Sequence, residues 1–548
     1  MQSTVAISVG HDAAAEIALG VLKAGGNAVD AGVAASIALC VLHSEQVQLG
    51  GVAPMLLRMA GKDTVHCVEG AGRWPANADR ELFERNHRGR IPKGVLRTVV
   101  PAAPAAWLVA LSQFGTMRFA ELAEPAWCLA KDGFPAHDDL VSCSAQFERD
   151  YRKFPGNAAI WLPKGRPIEK GEWFTQLDLA RTIAALIDAD RCASGRKDGL
   201  HAVRAAFYEG DIAKAMVRHV ADSGGWLRAS DLATHQTPVV PATQATVVGG
   251  TLHTCGAWSQ GPALAQALQI LEQSDVGGLD PSSVEFMHRA LEALKLAFAD
   301  RDAFYGDPDF VDTPLNTLLS ADHARKRAAR ISPASAIEGV PGVDDRLVEK
   351  TLDTSVVSIV DGTGNLFVAT PSDTSFDAPV VPGLGFVIST RGAQSRVEPD
   401  HPAVLQPGKR PRVSACPFLF EAADGRLIAG GGPGADLQLQ ASAQVLARHL
   451  LCGEPLEAAI AAPRAFTQSA PGSTAPHLCF PGKVTVEEDA PEGWIDGLSA
   501  LGHKAVSGSA TGIGRPSMCV VTTEADGSAR SACGDPRRES GQRVEVAG

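Results

Sequence analysis

The chain has 548 residues, of which 45% are hydrophobic, 20% charged and 5% aromatic, and its formal net charge is −12. This is the composition of an ordinary globular protein with ample length for a large core. The acidic balance and the lack of a long Lys/Arg run argue against nucleic acid or an anionic membrane as the partner.

The N-terminal sequence does not read as a secretory signal, because no basic segment precedes a continuous apolar stretch. No apolar run is long enough to span a bilayer. The 11 cysteines are scattered and form no C-x-x-C pair, which favours reduced thiols over a disulfide framework or a zinc site. These features predict a cytoplasmic protein that does not act at a membrane.

Helical patterns dominate the chain up to about residue 350. The clearest spans residues 282–304, where apolar side chains recur every three or four positions and Ser282 or Ser283 is available as the cap. The other predicted helices are two alanine-rich segments within residues 12–42, separated by Gly25-Gly26 with Asn27 capping the second, together with Leu177–Ile187 and Pro262–Leu271.

Short β-branched runs appear after about residue 350. Ser355–Val360 and Leu366–Thr370 flank the turn sequence Asp361–Asn365, and the first run is apolar on both faces, as in a central strand. The remaining predicted elements are strands at Leu384–Ile388 and Arg426–Ala429 and helices at Leu437–Leu451 and Leu456–Ala462. A helix-rich part followed by a strand-led part predicts helices packed over sheets, an α+β fold.

Common catalytic signatures are missing from the sequence, including G-x-S-x-G, H-E-x-x-H and the phosphate-binding P-loop. His43-Ser44-Glu45 is similar to the start of a zinc-deaminase signature, but no P-C-x-x-C follows. The fifteen histidines never pair at metal-ligand spacing, so we predict no metal site. The glycine run at 430–435 loosely fits a dinucleotide fingerprint, but Pro433 interrupts it, and no cofactor is predicted.

A threonine that opens a strand is nearly always structural. The block Asp353–Asn365, however, resembles the start of the small subunit in the γ-glutamyltransferase family, in which a threonine is the nucleophile. Thr354 falls on that position, and Val356 stands where the family usually has histidine. Further blocks that resemble the family follow in the same order along nearly the whole chain: Leu22–Ala31, Pro125–Phe134, Ala297–Arg301, Gly306–Phe310, Pro407–Pro411 and Asp535–Arg538.

The resemblance implies a precursor that cuts itself between Asp353 and Thr354. It implies the four-layer αββα sandwich of the N-terminal-nucleophile (Ntn) hydrolases, formed as one intertwined domain by residues 1–353 and 354–548. Cleavage would give Thr354 a free α-amine, whose pKa is ordinarily roughly 8. That amine would accept the proton of the threonine hydroxyl, which is otherwise a weak nucleophile.

The resemblance also implies roles for residues around the nucleophile. Gly434 and Ala435 would donate backbone N–H groups to the oxyanion, with Ala435 replacing the usual glycine. Ser372, eighteen residues after Thr354, would hold the nucleophile's rotamer, although a serine in a turn is an equally good interpretation. The residues expected to contact substrate are Thr374, Arg391, Ser414 and Asp436; for Arg391, an ordinary surface position is the commoner alternative.

The sequence departs from the family where a glutamyl head group binds. Ala71 occupies the position of the arginine that holds the α-carboxylate, and Gln394 occupies that of the acid that pairs with the α-amine. A zwitterion buried without these charges would lose several charge-assisted hydrogen bonds. The pattern is closer to the family's amidohydrolase branch.

We therefore expect a hydrolase that cleaves amides of small acidic or polar acyl groups, with water or an amine as acceptor and no metal or cofactor. The mature form would be an αβ heterodimer, or a dimer of such units. Two alternatives stay open: a glutathione hydrolase or γ-glutamyl transpeptidase, and an unprocessed binding or scaffold protein. Ala71, Val356 and Ala435 motivate the last.

Overall fold

The structure is a computed structural model that describes residues 4–337, 353–508, 518–527 and 529–546. Helices and strands occur along the whole of the described chain, in agreement with the predicted α+β class. Among these residues, no helix is both long and apolar enough to cross a membrane.

The described strands are short and lie in both parts of the chain. In chain order they are β1 (Thr4–Val9), β2 (Met55–Arg58), β3 (Val65–Val68), β4 (Phe134–Pro135), β5 (Trp173–Phe174), β6 (Val239–Pro241), β7 (Thr243–Val247), β8 (Gly250–Thr254), β9 (Val357–Val360), β10 (Leu366–Ala369), β11 (Phe418–Glu421), β12 (Leu427–Gly431), β13 (Ala465–Thr467), β14 (Lys483–Glu487), β15 (Lys504–Gly508), β16 (Cys519–Thr523), β17 (Arg530–Gly534) and β18 (Gly541–Val546).

The described α-helices lie mostly before residue 330. They are α1 (Asp12–Lys23), α2 (Ala28–Leu42), α3 (Arg80–His87), α4 (Ala103–Phe114), α5 (Phe119–Asp132), α6 (Asp138–Gln146), α7 (Glu148–Tyr151), α8 (Pro155–Trp161), α9 (Leu177–Arg191), α10 (Arg196–Tyr208), α11 (Asp211–Asp222), α12 (Ala229–Ala233), α13 (Gly261–Glu272), α14 (Val284–Phe304), α15 (Leu315–Leu318), α16 (Ala321–Ala328), α17 (Leu437–Leu450), α18 (Leu456–Ala461) and α19 (Trp494–Ala500).

Two antiparallel sheets form the centre of the molecule. The larger has the described order β18-β1-β9-β10-β2-β3-β6, and the smaller β17-β16-β12-β11-β8-β7. β9 pairs with β1 on one side, Ile359 opposite Ile7, and with β10 on the other, Ile359 opposite Phe367. Strands from before and after residue 353 are therefore interleaved within one sheet, so neither part can complete it alone.

The two sheets face each other across an apolar layer that includes Leu56, Val368, Leu419 and Val521. Helices cover the opposite faces: α1, α2, α5 and α9 lie in the core of the larger sheet, and α13, α14 and α17 in that of the smaller. All four residues of β9 are buried. The prediction of a central strand covered on both faces is confirmed for this segment, because hydrocarbon packs on either side of it.

Three predicted helix boundaries agree with the structure. α1 ends at Lys23, and the Asn27 side chain accepts hydrogen bonds from the backbone N–H groups of Val29 and Asp30 at the start of α2. Ser283 caps α14, one of the two serines proposed for that role. These boundaries could be predicted because capping is local chemistry.

The strand predicted at Leu384–Ile388 is wrong. This segment forms only an isolated bridge between Val380 and Val387. Gly383 and Gly385 adopt φ values of 78° and 73°, in a left-handed region that interrupts an extended chain. Gly385 also lies directly against the backbone of Leu179, where no side chain fits. The expected contrast between a helix-rich and a strand-led part is incomplete as well, because six strands before residue 353 join the two large sheets.

A pair of helical glycines provides a test of the core. A Cβ added to Gly32 in α2 would overlap the ring of Phe367, whereas one added to Gly20 in α1 would meet nothing within 4 Å. We expect Gly32→Ala to lower the free energy of unfolding by about 2 kcal/mol through overpacking. Gly20→Ala should raise it by about 0.5–1 kcal/mol through helix propensity. Chemical denaturation measures both, and changes of equal sign would contradict this account of the α2 packing.

Candidate active site

Thr354 lies at the entrance to β9, where backbone hydrogen bonds fix the chain on both sides. Its own N–H donates to the carbonyl of Gln46 at 3.2 Å. The next residue, Ser355, donates its N–H to Pro371 O at 3.0 Å, and Gly10 donates to Val356 O at 3.0 Å. Thr354 is only 1% exposed. The candidate nucleophile is therefore buried and held in one backbone position.

The backbone at Thr354 is strained. Its φ is 83°, although the residue is β-branched. L-residues other than glycine rarely adopt such values, and the strain amounts to about 1–3 kcal/mol. This strain adjoins the Asp353–Thr354 peptide bond. The sequence could not reveal it, because the conformation is imposed by contacts with residues far along the chain.

The Thr354 hydroxyl lies in a small hydrogen-bond network. Its oxygen is 2.7 Å from Ser372 Oγ and accepts a hydrogen bond from Gln438 Nε2 at 3.0 Å. It also donates to the Asp353 carboxylate through a short contact. The Gln438 amide is held in turn, because its Oε1 accepts the backbone N–H of Cys416 at 3.2 Å. Ser372 thus contacts Thr354 through its hydroxyl, and its role in holding the threonine rotamer stays a prediction.

Arg391 is buried beside the same hydroxyl, in a 3₁₀ turn at Arg391–Gln394. Its Nη1 lies 2.5 Å from an oxygen of the Asp353 carboxylate, its Nη2 contacts Ser372 Oγ, and its Nε lies 3.7 Å from Asp373. The surface position considered for this arginine is therefore wrong. A guanidinium enclosed by two carboxylates and a hydroxyl forms a preorganised carboxylate-binding group.

The glycine-rich loop between β12 and α17 reaches the peptide carbonyl next to Thr354. The N–H of Gly434 donates to Asp353 O at 2.9 Å. Ala435 adopts a φ of 48°, a conformation that favours glycine, and its carbonyl accepts from Gln260 Nε2 at 3.0 Å. A backbone donor therefore already points at the carbonyl oxygen on which negative charge would develop if Thr354 attacked.

Two of the residues expected to contact substrate lie near this network. Thr374 is buried, and within the described part of the chain its Oγ1 has no hydrogen-bond partner. Ser414 Oγ accepts from Gln394 Nε2 at 3.0 Å, and its N–H donates to Gln394 Oε1 at 3.2 Å. Thr374 therefore has an open hydrogen-bonding group, whereas the Ser414 hydroxyl already has a partner.

Asp436, the remaining residue of that set, has protein partners of its own. One of its oxygens lies 2.5 Å from Arg301 Nη1, and Ser473 donates both its N–H and its hydroxyl to the carboxylate. Burial alone would raise the pKa of Asp436, but Arg301 and Ser473 outweigh it and lower that pKa below the ordinary value. Asp436 is thus an ionised group that fixes the loop after Ala435.

A cavity of about 310 Å³ borders this loop. Its lining includes Arg301, Gly434, Ala435, Asp436, Ser473 and Thr474. The cavity could admit a small organic molecule to the loop that carries the candidate oxyanion donors.

Sequence reasoning missed two contributors to the site. Gln438 follows the glycine-rich loop at the start of α17, and a polar residue one turn beyond such a loop was a signal that could have been noticed. The Asp353 carboxylate was named only for its peptide bond. Nothing local indicated that its side chain would contact Thr354, Arg391 and Ser372.

Comparison with known proteins assigns the family. The Gamma-glutamyltranspeptidase family profile matches residues 14–544. The Acylase ACY 1 proenzyme of Pseudomonas sp. (strain SE83) is 30% identical over 511 residues, which cover 90% of this chain and 86% of that protein. The oxamate amidohydrolase proenzyme of Klebsiella pneumoniae is 29% identical over 463 residues, 83% of each chain.

The fold agrees with this assignment. The crystal structure of the cephalosporin acylase from Bacillus halodurans is 25% identical and matches with a TM-score of 0.86, over 99% of this chain and 96% of that one. The α+β architecture is thus shared with a solved acylase over nearly the full length. The chain belongs to the γ-glutamyltranspeptidase family and is an enzyme.

Proposed function

We propose that the protein is a self-processing amidohydrolase with Thr354 as its nucleophile. The observation that carries the proposal is the hydrogen bond from Gly434 N–H to the carbonyl oxygen of Asp353, directly before the networked Thr354 hydroxyl. The strained conformation of Thr354 supports cleavage at this bond, because breaking it releases the strain.

Self-cleavage begins when Thr354 Oγ bonds to the Asp353 carbonyl carbon. The Asp353 carboxylate, which already accepts the hydroxyl's hydrogen bond, takes its proton and serves as the base before any free amine exists. The C–N bond then breaks, the proton passes to the leaving nitrogen, and an ester joins residues 353 and 354. Water hydrolyses this ester, which leaves a new carboxylate on Asp353 and a free amine on Thr354.

In the mature enzyme, the Thr354 amine replaces the carboxylate as the base. The hydroxyl attacks a substrate amide, the leaving amine takes a proton, and water hydrolyses the acyl-enzyme. Gly434 and Ala435 donate to the oxyanion, while Ser372 and Gln438 hold the hydroxyl oxygen. Because β9 lies between β1 and β10, the two cleaved chains stay together as one αββα sandwich, an αβ heterodimer.

The position of Asp353 indicates the kind of acyl group that fits. In the precursor its carbonyl lies at Gly434 N–H while its side-chain carboxylate lies on Arg391. Departure of Asp353 frees Arg391 for an acyl group with a carboxylate at a similar distance from its carbonyl. The likeness to an oxamate amidohydrolase supports an acidic acyl group. Ala71, which lies between the two sheets, supplies no charge for a glutamyl head group.

Mass spectrometry of the purified protein tests the proposal. We expect two chains, residues 1–353 and 354–548, with threonine at the N-terminus of the second. Asp353→Asn should slow their appearance by about 100-fold or more, because the proton acceptor is lost. Once cleaved, this variant should hydrolyse substrate like the wild type, since residue 353 is no longer attached to Thr354. An active wild-type protein with residues 353 and 354 still joined would overturn the proposal.

A further inference from the structure

Three histidines that are far apart in the sequence meet near the start of β9. His11 precedes α1, His43 follows α2 and His137 precedes α6. Their ring centroids lie 5.0 Å apart for His43 and His137, 5.1 Å for His11 and His137, and 5.5 Å for His11 and His43. All three line a cavity of about 350 Å³. This histidine cluster takes no part in the amide hydrolysis proposed above.

A buried acid completes a possible ligand set. One nitrogen of His43, one nitrogen of His137 and one carboxylate oxygen of Glu45 all lie within 4.8 Å of one another. Glu45 is 1% exposed, and its Oε2 has no hydrogen-bond partner in the described part of the chain. Its other oxygen accepts a hydrogen bond from Gln46 Nε2 at 3.2 Å. An unpaired buried carboxylate oxygen is costly unless a proton or a cation compensates it.

The hydrogen bonds of the two imidazoles indicate which ring nitrogen could meet a cation. His137 Nε2 lies 2.7 Å from the carbonyl of Leu42, which can only accept, so Nε2 carries the hydrogen and Nδ1 has the lone pair. That Nδ1 accepts a long hydrogen bond from the helix N–H of Leu140, at 3.4 Å, which a cation on Nδ1 would replace. His43 Nδ1 lies 3.1 Å from Ser355 Oγ, and donation to that hydroxyl would leave Nε2 free.

His11 does not belong to the ligand set. Its Nδ1 accepts the backbone N–H of Ala13 at 3.1 Å, so in the neutral ring Nε2 carries the hydrogen and cannot coordinate. The His11 ring can act as a donor beside the other two imidazoles.

We propose that His43, Glu45 and His137 bind a divalent transition-metal ion of the zinc type. Two imidazoles and a carboxylate are ligands that such ions favour, and hydrogen bonds from the distal imidazole nitrogens are the usual support of metal-bound histidine. Bonds of about 2.0–2.2 Å would draw the three ligand atoms closer than they now lie. The nearby cation Arg538 is paired with Asp139 at 3.3 Å, so its charge is balanced locally.

The site would lie one hydrogen bond from the residue that follows the nucleophile. An ion on His43 fixes the ring with Nδ1–H donating to Ser355, beside Thr354. No sequence pattern connects His137 with the His43-Ser44-Glu45 segment, because the two are distant along the chain. The inference is independent of the proposed hydrolysis, since no step of that reaction uses these side chains.

Metal binding by the full, processed protein is the direct test. After removal of bound ions with a chelator and dialysis, we expect the protein to take up one Zn²⁺ per molecule, measured by mass spectrometry of the metal content. Co²⁺ in its place should give visible bands of a nitrogen and oxygen site without the thiolate absorption that a cysteine site produces. Absence of stoichiometric uptake, or a thiolate band, would refute the proposal.

Variants locate the ion. His137→Gln and Glu45→Gln should each weaken Zn²⁺ binding by about 100-fold or more. His503→Gln is the matched control, because His503 belongs to a second buried cluster with His288 and Glu292. In that cluster Lys295 lies 2.6 Å from Glu292 and already neutralises it. Zinc that survives both first variants but is lost in His503→Gln would place the ion elsewhere and overturn the assignment. Thermal unfolding confirms that each variant is folded.

Discussion

Thr354→Ala is expected to remain a single chain of 548 residues and to lose amide hydrolysis by at least about 10⁴-fold. In the proposed mechanism, the hydroxyl oxygen that the substitution removes attacks Asp353 in the precursor and substrate in the mature enzyme. Both reactions should therefore stop together. Gel electrophoresis under denaturing conditions measures the first, and turnover of a chromogenic anilide the second.

Thr354→Ser is the matched control for this prediction, because it keeps the hydroxyl and removes only a methyl group. It should yield two chains and measurable turnover. The thermal unfolding midpoint of the uncleaved Thr354→Ala protein should be compared with that of wild-type precursor isolated before it has cleaved. Similar midpoints would exclude a folding defect. Two chains from Thr354→Ala, or activity without cleavage, would show that the nucleophile is another residue.

The second large effect concerns Arg391. We expect Arg391→Gln to lower kcat/KM for a succinyl anilide by about 10–100-fold, because a charge-assisted hydrogen bond contributes about 1.5–3 kcal/mol. A butyryl anilide has the same acyl length without the carboxylate, and its turnover should change far less. The ratio of the two rates isolates the charge from any general damage to the site.

Arg391 also contacts Asp353 in the precursor, so the cleaved fraction of the variant must be measured and rates expressed per free N-terminal threonine. Arg391→Lys should retain part of the preference for the acid, since it keeps the charge but loses the planar pair of donors. Equal losses with both anilides would mean that Arg391 positions Ser372 rather than binding the substrate carboxylate. Faster turnover of a γ-glutamyl anilide would favour the glutathione hydrolase alternative.

The sequence predicted the helices well and the sheet order not at all. The ends of α1, α2 and α14 follow from caps and apolar spacing, which act over a few residues. The strand pairs β1–β9 and β8–β11 join distant segments, and no periodicity encodes a partner that lies hundreds of residues away. The failed strand at Leu384–Ile388 shows the same limit, because a close approach to Leu179 decides its backbone.

What the sequence determined by itself is the family, the α+β class and the neighbourhood of Thr354, because motif residues and their order can be read without a structure. What only the tertiary structure decided is the state of each side chain: Arg391 buried on Asp353, Gln438 on the threonine oxygen, and His137 beside His43. The physical reason is that burial and hydrogen bonding depend on which surfaces meet when distant segments pack. Local chemistry sets where an element begins, but the chemistry of a site depends on its neighbours in space.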